Sequence, residues 1–154
     1  MFLAGICEIY VHPKLTSSSS DNTAVIAATE KISPNLPATV DGSILREESA
    51  AGAFPGFTID GPFGYDVAID QVAAKIKGLD KSHVAGAADL LLFPNIEAAN
   101  AVAKSWKFHG SAETGSLILG AKVPILLNSR SDAASRRINA LALAMVVMSN
   151  QRRQ

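Results

Sequence analysis

The chain has 154 residues, of which 48% are hydrophobic and 18% are charged, a composition typical of a globular domain rather than of a disordered or coiled-coil protein. Lysine and arginine together number 14, as do aspartate and glutamate, so no general attraction to nucleic acids or anionic membranes is expected. The single cysteine, Cys7, excludes an internal disulfide and a cysteine-based metal cluster. Any anion site must therefore be local, and neither a nucleic acid nor a membrane is expected as a partner.

Residues 1–22 are predicted to be a poorly structured N-terminal segment. The stretch Met1 to Val11 lacks a basic leader and is too short to span a bilayer, so no signal peptide is expected and the predicted location is cytoplasmic. Four consecutive serines, Ser17 to Ser20, have the composition of a flexible linker. The ordered domain is predicted to cover residues 23–150.

The first predicted elements of this domain are a strand and a helix. The apolar, partly β-branched run Thr23 to Ala28 predicts a strand, and Pro37 belongs to the loop predicted after it. Helical spacing then begins behind an N-cap at Asp41 or Ser43, and Gly52 is the predicted stop.

A second strand and helix follow. The strand is predicted over Phe57 to Asp60 and ends at Gly61-Pro62. The helix is predicted over Asp66 to Lys77 and is amphipathic. Its predicted apolar stripe consists of four residues at helical intervals: Val67, Val72, Ala73 and Ile76.

A third strand and helix come next. The apolar run Asp89 to Phe93 predicts a buried strand, and a helix is predicted over Ile96 to Phe108 behind an Asn95 cap. Two further apolar runs, Ser116 to Leu119 and Pro124 to Leu127, favour a hairpin.

The last predicted element is a long helix from a cap at Ser131 or Asp132 to about Asn150. Its predicted core-facing stripe is Ile138, Leu141, Ala142 and Met145. Strands alternating with helices predict an α/β fold, with a mostly parallel sheet covered by helices on both faces. In such sheets ligands bind beyond the carboxyl ends of the strands. The candidate loops are therefore Gly61 to Asp66, Phe93 to Glu97 and Asn128 to Asp132.

The strongest candidate is the segment Pro124 to Asp132, where an apolar run leads through Asn128 into a helix. Free backbone N–H groups at a helix start suit phosphate, and the planar guanidinium of Arg130 matches phosphate oxygens in a bidentate manner. The alternative is that Arg130 pairs with a nearby carboxylate while Ser131 and Asp132 cap the helix. The residues alone leave both interpretations open.

The other two loops have weaker signals. Between Gly61 and Asp66 the backbone can approach a ligand closely, although a plain turn explains the same residues. Glu97 and Asn100 share one helical face, which a solvated surface also explains. The sequence contains no Walker loop, no dinucleotide-binding glycine motif and no histidine pair at metal-ligand spacing.

Several blocks in register resemble the phosphate acetyltransferase/phosphate butyryltransferase family, over roughly Ala24 to Met148. The blocks are Thr29-Glu30-Lys31, Leu36-Pro37-Ala38-Thr39, Asp60-Gly61-Pro62, Asp66-Val67-Ala68, Val84 to Asn100, Leu119 to Ile125 and Asn128 to Asp132. The chain departs from the family pattern at Ala99, where glycine is common, and at Ala103, where an aromatic residue is common. The family's N-terminal half has no counterpart in this sequence.

This resemblance implies a reversible reaction of acyl-CoA with inorganic phosphate that gives an acyl phosphate and CoA, with CoA and phosphate as substrates and with neither a metal nor another cofactor. It also implies a homodimer of two-domain subunits, and a fold similar to the second domain of isocitrate and isopropylmalate dehydrogenases. Ser129 and Arg130 are implied to hold phosphate and the CoA side of the substrate. Asp132 stands near an aspartate with a general-base role in acetyltransferase members.

Other residues of the matching blocks are implied to bind substrate, namely Asn128, Ser131, Gly61, Pro62, Asp66, Asn95 and Asn100. For Asp132 a cap or an orienting group is the better interpretation, because an ordinary carboxylate pKa lies roughly 4.5 units below that of a thiol. Two further hypotheses are a truncated, non-catalytic domain that folds, binds anions and dimerises, and a dehydrogenase of the related fold. The dehydrogenase ranks last, because no carboxylate set suits a divalent metal.

Overall fold

The computed structural model describes residues 7–10, 21–118 and 121–151. In chain order these residues form strands β1 (Cys7–Tyr10) and β2 (Asp21–Ile26), helix α1 (Pro37–Ala50), strand β3 (Phe57–Phe63), helices α2 (Tyr65–Ile69) and α3 (Gln71–Ile76), strand β4 (Leu90–Phe93), helix α4 (Ile96–Phe108), strands β5 (Leu117–Ile118) and β6 (Ile125–Leu126), and helix α5 (Ala134–Gln151). None of the helices in these ranges is long and apolar enough to cross a membrane.

The chain divides into two compact units, Met1–Ala103 and Lys104–Gln154. The boundary falls within α4, inside the domain predicted for residues 23–150, whose limits stay a prediction. The first unit holds the larger sheet and the second holds a hairpin and α5.

The first unit contains a four-stranded sheet in the order β1-β4-β2-β3. Strand β2 pairs in parallel with both β3 and β4, with Thr23 opposite Ile59 on one side and Leu90 on the other. All four residues of β4 are buried, and because successive side chains of a strand point to opposite faces, both faces of β4 are covered. The predicted α/β fold with a mostly parallel sheet is confirmed.

Strand β1 pairs antiparallel with β4, so that Cys7 lies opposite Phe93. This strand belongs to the segment that the sequence predicted to be poorly structured. The difference arises because a buried strand such as β4 has backbone groups on both edges that need hydrogen-bond partners. The serine run Ser17 to Ser20 lies outside the described residues.

Helix α1 begins at Pro37 rather than behind Asp41 or Ser43, so the predicted cap is wrong. Proline suits the first helical position, because the N–H group that it lacks would have had no partner within the helix. The hydroxyl of Thr39 donates to the carbonyl of Leu36 at 2.7 Å and accepts from the N–H of Ser33 at 2.9 Å. These bonds close the turn that leads into the helix.

Strand β3 runs through Gly61 and Pro62 instead of ending there, and the peptide bond between them is cis. The single helix predicted after it is two short helices, because Asp70 adopts an extended conformation and its carboxylate caps α3 through the N–H of Ala73 at 2.8 Å. The break shifts the helical register. The prediction that Val72 and Ile76 face the core is therefore wrong, since they are 66% and 79% exposed.

Strand β4 and helix α4 match their predictions. Helix α4 spans Ile96–Phe108, and the side chain of Asn95 accepts the N–H of Ala98 at 2.8 Å, as expected of a cap. The predicted hairpin is also confirmed, because β5 and β6 pair antiparallel with Leu117 opposite Leu126.

Helix α5 buries a different face from the predicted one. Ala140 and Ala144 are buried, whereas Ile138, Leu141 and Met145 are 65%, 52% and 64% exposed, and Ala142 of the same stripe is exposed too. The reason is a close backbone approach: a Cβ built at Gly115 would lie 2.9 Å from the backbone N of Ala140. Small residues on both sides permit that approach, so the alanine face packs inward.

Candidate functional site

The loop 128–132 connects β6 to α5 and is closed by its own aspartate. One carboxylate oxygen of Asp132 accepts the N–H of Ser129 at 2.6 Å, and the N–H of Asp132 donates to the carbonyl of Ser129 at 3.0 Å. The hydroxyls of Ser129 and Ser131 are 2.9 Å apart and hydrogen-bonded. Neither predicted cap, Ser131 or Asp132, starts α5, because the helix begins at Ala134 and Asp132 serves the loop instead.

A lysine from α4 completes the loop. The ammonium group of Lys107 forms an ion pair and hydrogen bond with the second carboxylate oxygen of Asp132. Both partners are shielded from water, with side chains 7% and 12% exposed. The Lys107 ammonium also lies 5.1 Å from the centre of the Phe108 ring. A lysine is rarely buried without such a partner, so Asp132 and Lys107 form one unit.

These contacts lower the pKa of Asp132. The hydrogen bond from Lys107 is the largest cause; burial acts in the opposite direction, and the N–H of Ser129 and the positive charge of Arg136 lower the pKa further. The carboxylate is therefore ionised near neutral pH and is a weak proton acceptor. This environment suits an orienting group.

Two arginines give the loop an excess of positive charge. Arg130 is exposed, and within the described ranges it has no hydrogen bond or ion pair, so the alternative pairing with a carboxylate is not found there. The Nε atom of Arg136 is buried and has no hydrogen-bond partner among the described residues. Among the described residues here, the cationic side chains of Lys107, Arg130 and Arg136 thus outnumber the one carboxylate, that of Asp132. This excess of positive charge favours the binding of an anion.

The second predicted group lies in the first unit, towards the carboxyl end of β3. The carbonyl of Gly61 accepts a hydrogen bond from a guanidinium nitrogen of Arg46 at 3.3 Å, and its N–H donates to the Asp60 carboxylate at 2.8 Å. A Cβ at Gly61, whose φ is +148°, would lie 2.8 Å from the carbonyl oxygen of Val25. Only glycine fits this point next to Pro62.

Asp66 belongs to an ion-pair cluster at the same strand ends. Lys77 contacts Glu30 at 3.0 Å and Asp66 at 3.2 Å, and Glu30 also accepts the N–H of Gly64 at 2.9 Å. The hydrogen bond from Lys77 is the main cause of a lowered pKa at Asp66. At Glu30, burial raises the pKa, but the Gly64 N–H and Lys77 together outweigh it and the net shift is downward. The cluster fixes the Gly61 to Asp66 loop.

The remaining predicted residues lie on α4. Asn95 is committed to capping, and Asn100 is exposed on the helix surface. A shallow cavity of about 350 Å³ lies elsewhere in the first unit, against α1 and the beginning of β3, and its lining includes Arg46, Lys81 and His83. None of the predicted site residues lines this cavity. In the described ranges no group of three or more His, Cys, Asp or Glu side chains is placed to hold a metal ion.

The structure therefore brings five predicted residues together in one loop of the second unit: Asn128, Ser129, Arg130, Ser131 and Asp132. The others lie in the first unit: Gly61 and Pro62 within β3, Asp66 in α2, Asn95 at the cap of α4 and Asn100 within α4. Sequence reasoning missed Lys107 and Arg136. A signal for the lysine existed, because Ala99, Ala103 and Lys107 recur every fourth residue, which places Lys107 on the same helical face as the buried Ala99.

Residues 21–145 match the family model described as phosphate acetyl/butaryl transferase. The chain is 42% identical over 123 residues to a phosphate acetyltransferase of Thermotoga maritima, covering 80% of this chain and 42% of that protein. It is 41% identical over 124 residues to a phosphate butyryltransferase of Clostridium beijerinckii, covering 80% and 41%. This chain thus spans less than half the length of these relatives.

A solved structure agrees with the sequence comparisons. The chain superposes on a branched-chain phosphotransacylase from Enterococcus faecalis V583 with a TM-score of 0.74 at 30% identity, covering 86% of this chain and 47% of that one. The family match extends over most of the described sheet, over the loop 128–132 and into α5. The chain belongs to the phosphate acetyl/butyryl transferase family.

Proposed function

We propose that this chain supplies the phosphate- and CoA-binding part of an enzyme that transfers an acyl group between CoA and inorganic phosphate. The observation that carries the proposal is the guanidinium of Arg130, which has no partner among the described residues and stands on a loop with excess positive charge, inside the region matched to the family. The names of the relatives, phosphate acetyltransferase and phosphate butyryltransferase, indicate the same chemistry. The substrates are acyl-CoA and phosphate.

The reaction needs an anion site beside a thioester. One oxygen of phosphate attacks the thioester carbonyl carbon and forms a C–O bond, which gives a tetrahedral oxyanion. The C–S bond then breaks, CoA leaves as a thiolate that takes up a proton, and the acyl phosphate remains. Arg130 binds phosphate oxygens through its planar fork, and together with Ser129 it stabilises the negative charge that develops.

Asp132 acts in this proposal by orienting the loop. Its pKa is lowered and both of its oxygens are engaged, so it is a poor base for a thiol, whose pKa near 8.5 lies roughly 4.5 units above that of an ordinary carboxylate. That mismatch corresponds to roughly 6 kcal/mol. Phosphate is itself an anionic nucleophile, so positioning and charge stabilisation supply the rate acceleration.

The test is phosphate-dependent release of CoA thiol from acetyl-CoA and from butyryl-CoA, followed with a thiol reagent. Arg130→Ala is expected to lower kcat/KM for phosphate by about 10²-fold, because one charge-stabilising donor is lost. Lys75→Ala removes an exposed cation from α3 and serves as the matched control. Unchanged turnover in Arg130→Ala would contradict the assigned role of the guanidinium.

A non-catalytic, anion-binding domain is the second candidate, and the specific observation in its favour is that this chain covers only 42% and 41% of two relatives. It predicts a phosphate-induced rise in Tm that Arg130→Ala removes, with no release of CoA. The enzyme proposal requires both the Tm rise and turnover, so the two measurements together separate the candidates.

The proposal also includes finer properties that the family resemblance implies. They are a homodimer, a cytoplasmic location, a fold like the second domain of isocitrate and isopropylmalate dehydrogenases with helices on both faces of the sheet, catalysis without a metal or another cofactor, and substrate contacts by Gly61, Pro62, Asp66, Asn95 and Asn100. Exposed large apolar side chains on α5 support association with a partner surface. Light scattering tests the dimer, and turnover in excess chelator tests the absence of a metal.

A further inference from the structure

We propose that Lys107 is the positioning residue of the loop 128–132, and that its contact with Asp132 sets the loop geometry in which Ser129 and Arg130 meet phosphate. This inference rests on the proposed function of the loop. Lys107 comes from α4, twenty-five residues away from Asp132 in sequence, and it lies outside every block that carries the family resemblance.

Lys107 has a single defined position. Its side chain is only 7% exposed, and among the described residues Asp132 is the carboxylate with which it forms an ion pair. A buried ammonium group needs a partner of opposite charge, and losing that partner leaves an uncompensated charge in a poorly solvated place. Lys107 and Asp132 therefore hold each other in one arrangement.

A series of hydrogen bonds connects Lys107 to the loop. Lys107 holds one oxygen of Asp132, the other oxygen accepts the N–H of Ser129 at 2.6 Å, and the N–H of Asp132 returns to the carbonyl of Ser129 at 3.0 Å. Ser129 and Asp132 are thereby fixed as the two ends of a tight turn, with Arg130 and Ser131 between them. The position of the Asp132 carboxylate decides the path of this turn, and Lys107 decides the position of the carboxylate.

Lys107 also neutralises the charge of the Asp132 carboxylate. A carboxylate in a loop that receives phosphate repels the incoming anion unless a cation neutralises it. Lys107 supplies that cation from within the unit, and the guanidinium of Arg130 has no partner in the described part of the chain. Asp132 can then accept the N–H of Ser129 without repelling the phosphate.

The test compares Lys107→Met, which keeps the stem and removes the charge, with Lys107→Arg, which keeps the charge. Lys75→Met in α3 is the matched control for losing a lysine. Lys107→Met is expected to raise KM for phosphate by about thirtyfold with a smaller change in kcat, because one partner of a shielded charge pair is removed. Lys107→Arg is expected to restore most of the affinity, and Lys75→Met to leave KM unchanged.

A pH profile separates positioning from general destabilisation. In Lys107→Met the carboxylate of Asp132 still faces Arg136 but has lost Lys107, so the affinity for phosphate, relative to that of the parent chain at the same pH, is expected to improve as the pH falls and Asp132 takes up a proton. Adding Asp132→Asn to Lys107→Met removes the repelling charge but not the loosening of the turn, so only the part of the lost affinity that is due to repulsion is expected to return. A merely structural role for Lys107 predicts neither the pH dependence nor the recovery.

Hydrogen exchange of the Ser129 amide, followed by NMR, gives a readout that does not depend on phosphate. Exchange is expected to accelerate at least about tenfold in Lys107→Met, and also in Asp132→Asn, which weakens the acceptor of that N–H. If Lys107→Met fails to fold, Lys107→Gln replaces it as the charge-removing variant, because Asp132→Asn tests only the acceptor of the Ser129 N–H and not the lysine. Unchanged Ser129 exchange and unchanged KM in the folded variants would overturn the inference. If the parent chain neither binds phosphate nor turns over, the proposed function fails, whereas the exchange data still decide whether Lys107 positions the loop.

Discussion

Two glycines with the same backbone conformation allow a sharp test of the packing in the first unit. Gly86 and Gly78 have φ of +73° and +72°, in the left-handed region that other residues adopt at a cost. Replacing either by alanine is expected to cost about 1 kcal/mol for the backbone conformation, partly offset by the lower entropy of the unfolded chain. Because this contribution is common to both, Gly78→Ala is the control for Gly86→Ala.

The two positions differ in the space around them. A Cβ at Gly78 meets nothing within 4 Å, whereas a Cβ at Gly86 would lie 2.6 Å from the Cα and 2.7 Å from the N of Gln71. These are backbone atoms at the start of α3, so no rotamer change relieves the clash. The N–H of Gly86 also donates to the carbonyl of Val67 at 2.7 Å, which ties the segment to α2. Overpacking of this kind adds roughly 1–3 kcal/mol.

Gly86→Ala is therefore expected to lower the free energy of unfolding by about 3 kcal/mol, against about 1 kcal/mol for Gly78→Ala. Urea unfolding followed by circular dichroism measures both values, and an unchanged m-value verifies that the unfolding transition is comparable. Equal losses in the two variants would refute the reasoning, because they would show that the approach of Gly86 to Gln71 does not limit the packing.

Two further predictions concern charge and burial. Asp132 has a folded pKa below its ordinary value of 3.8, so the stability it contributes is present above that pH and is lost as the pH falls through the folded pKa. The advantage of the parent chain over Asp132→Asn should hold from about pH 7 to about pH 5 and shrink towards about pH 3 in urea titrations. Leu91→Ala, at a 0% exposed position, should cost about 3 kcal/mol, whereas Ile76→Ala, at 79% exposure, should cost less than about 0.5 kcal/mol in the same assay.

Local signals were sufficient for some elements. The four apolar residues of β4 and the Asn95 cap of α4 stand next to each other in sequence, and both elements form where these signals predict them. The loop 128–132 was also located correctly between a strand and a helix, because an apolar run, a polar turn and a long helical pattern follow in order. In each case the evidence lies within a few residues of the feature itself.

Other features depend on partners that are distant in sequence. Asp70 breaks one predicted helix into two because its carboxylate caps α3. The helical spacing of the residues around Asp70 gives no sign of this break. Lys107 is buried because it pairs with Asp132. The four-residue spacing from Ala99 places the lysine on a buried face, but no local pattern identifies Asp132 as its partner. The position of the loop between a strand and a helix was thus predicted, whereas the contact that closes the loop required the three-dimensional structure; the role of its residues stays a prediction.

Helix α5 shows why periodicity identifies apolar faces but does not choose between them. Ala140 and Ala144 form one face, and the larger Ile138, Leu141 and Met145 form another, so the helix is apolar on more than one side. By transfer free energy the larger residues should be buried first, since they remove more apolar area from water. The alanine face is buried instead, because Gly115 allows the backbone to come within contact distance of Ala140 and thereby gains close packing along the helix. The spacing of Ile138, Leu141 and Met145 indicates only that their face of the helix can be buried. Which apolar face of a helix is buried depends on the neighbour that packs against it.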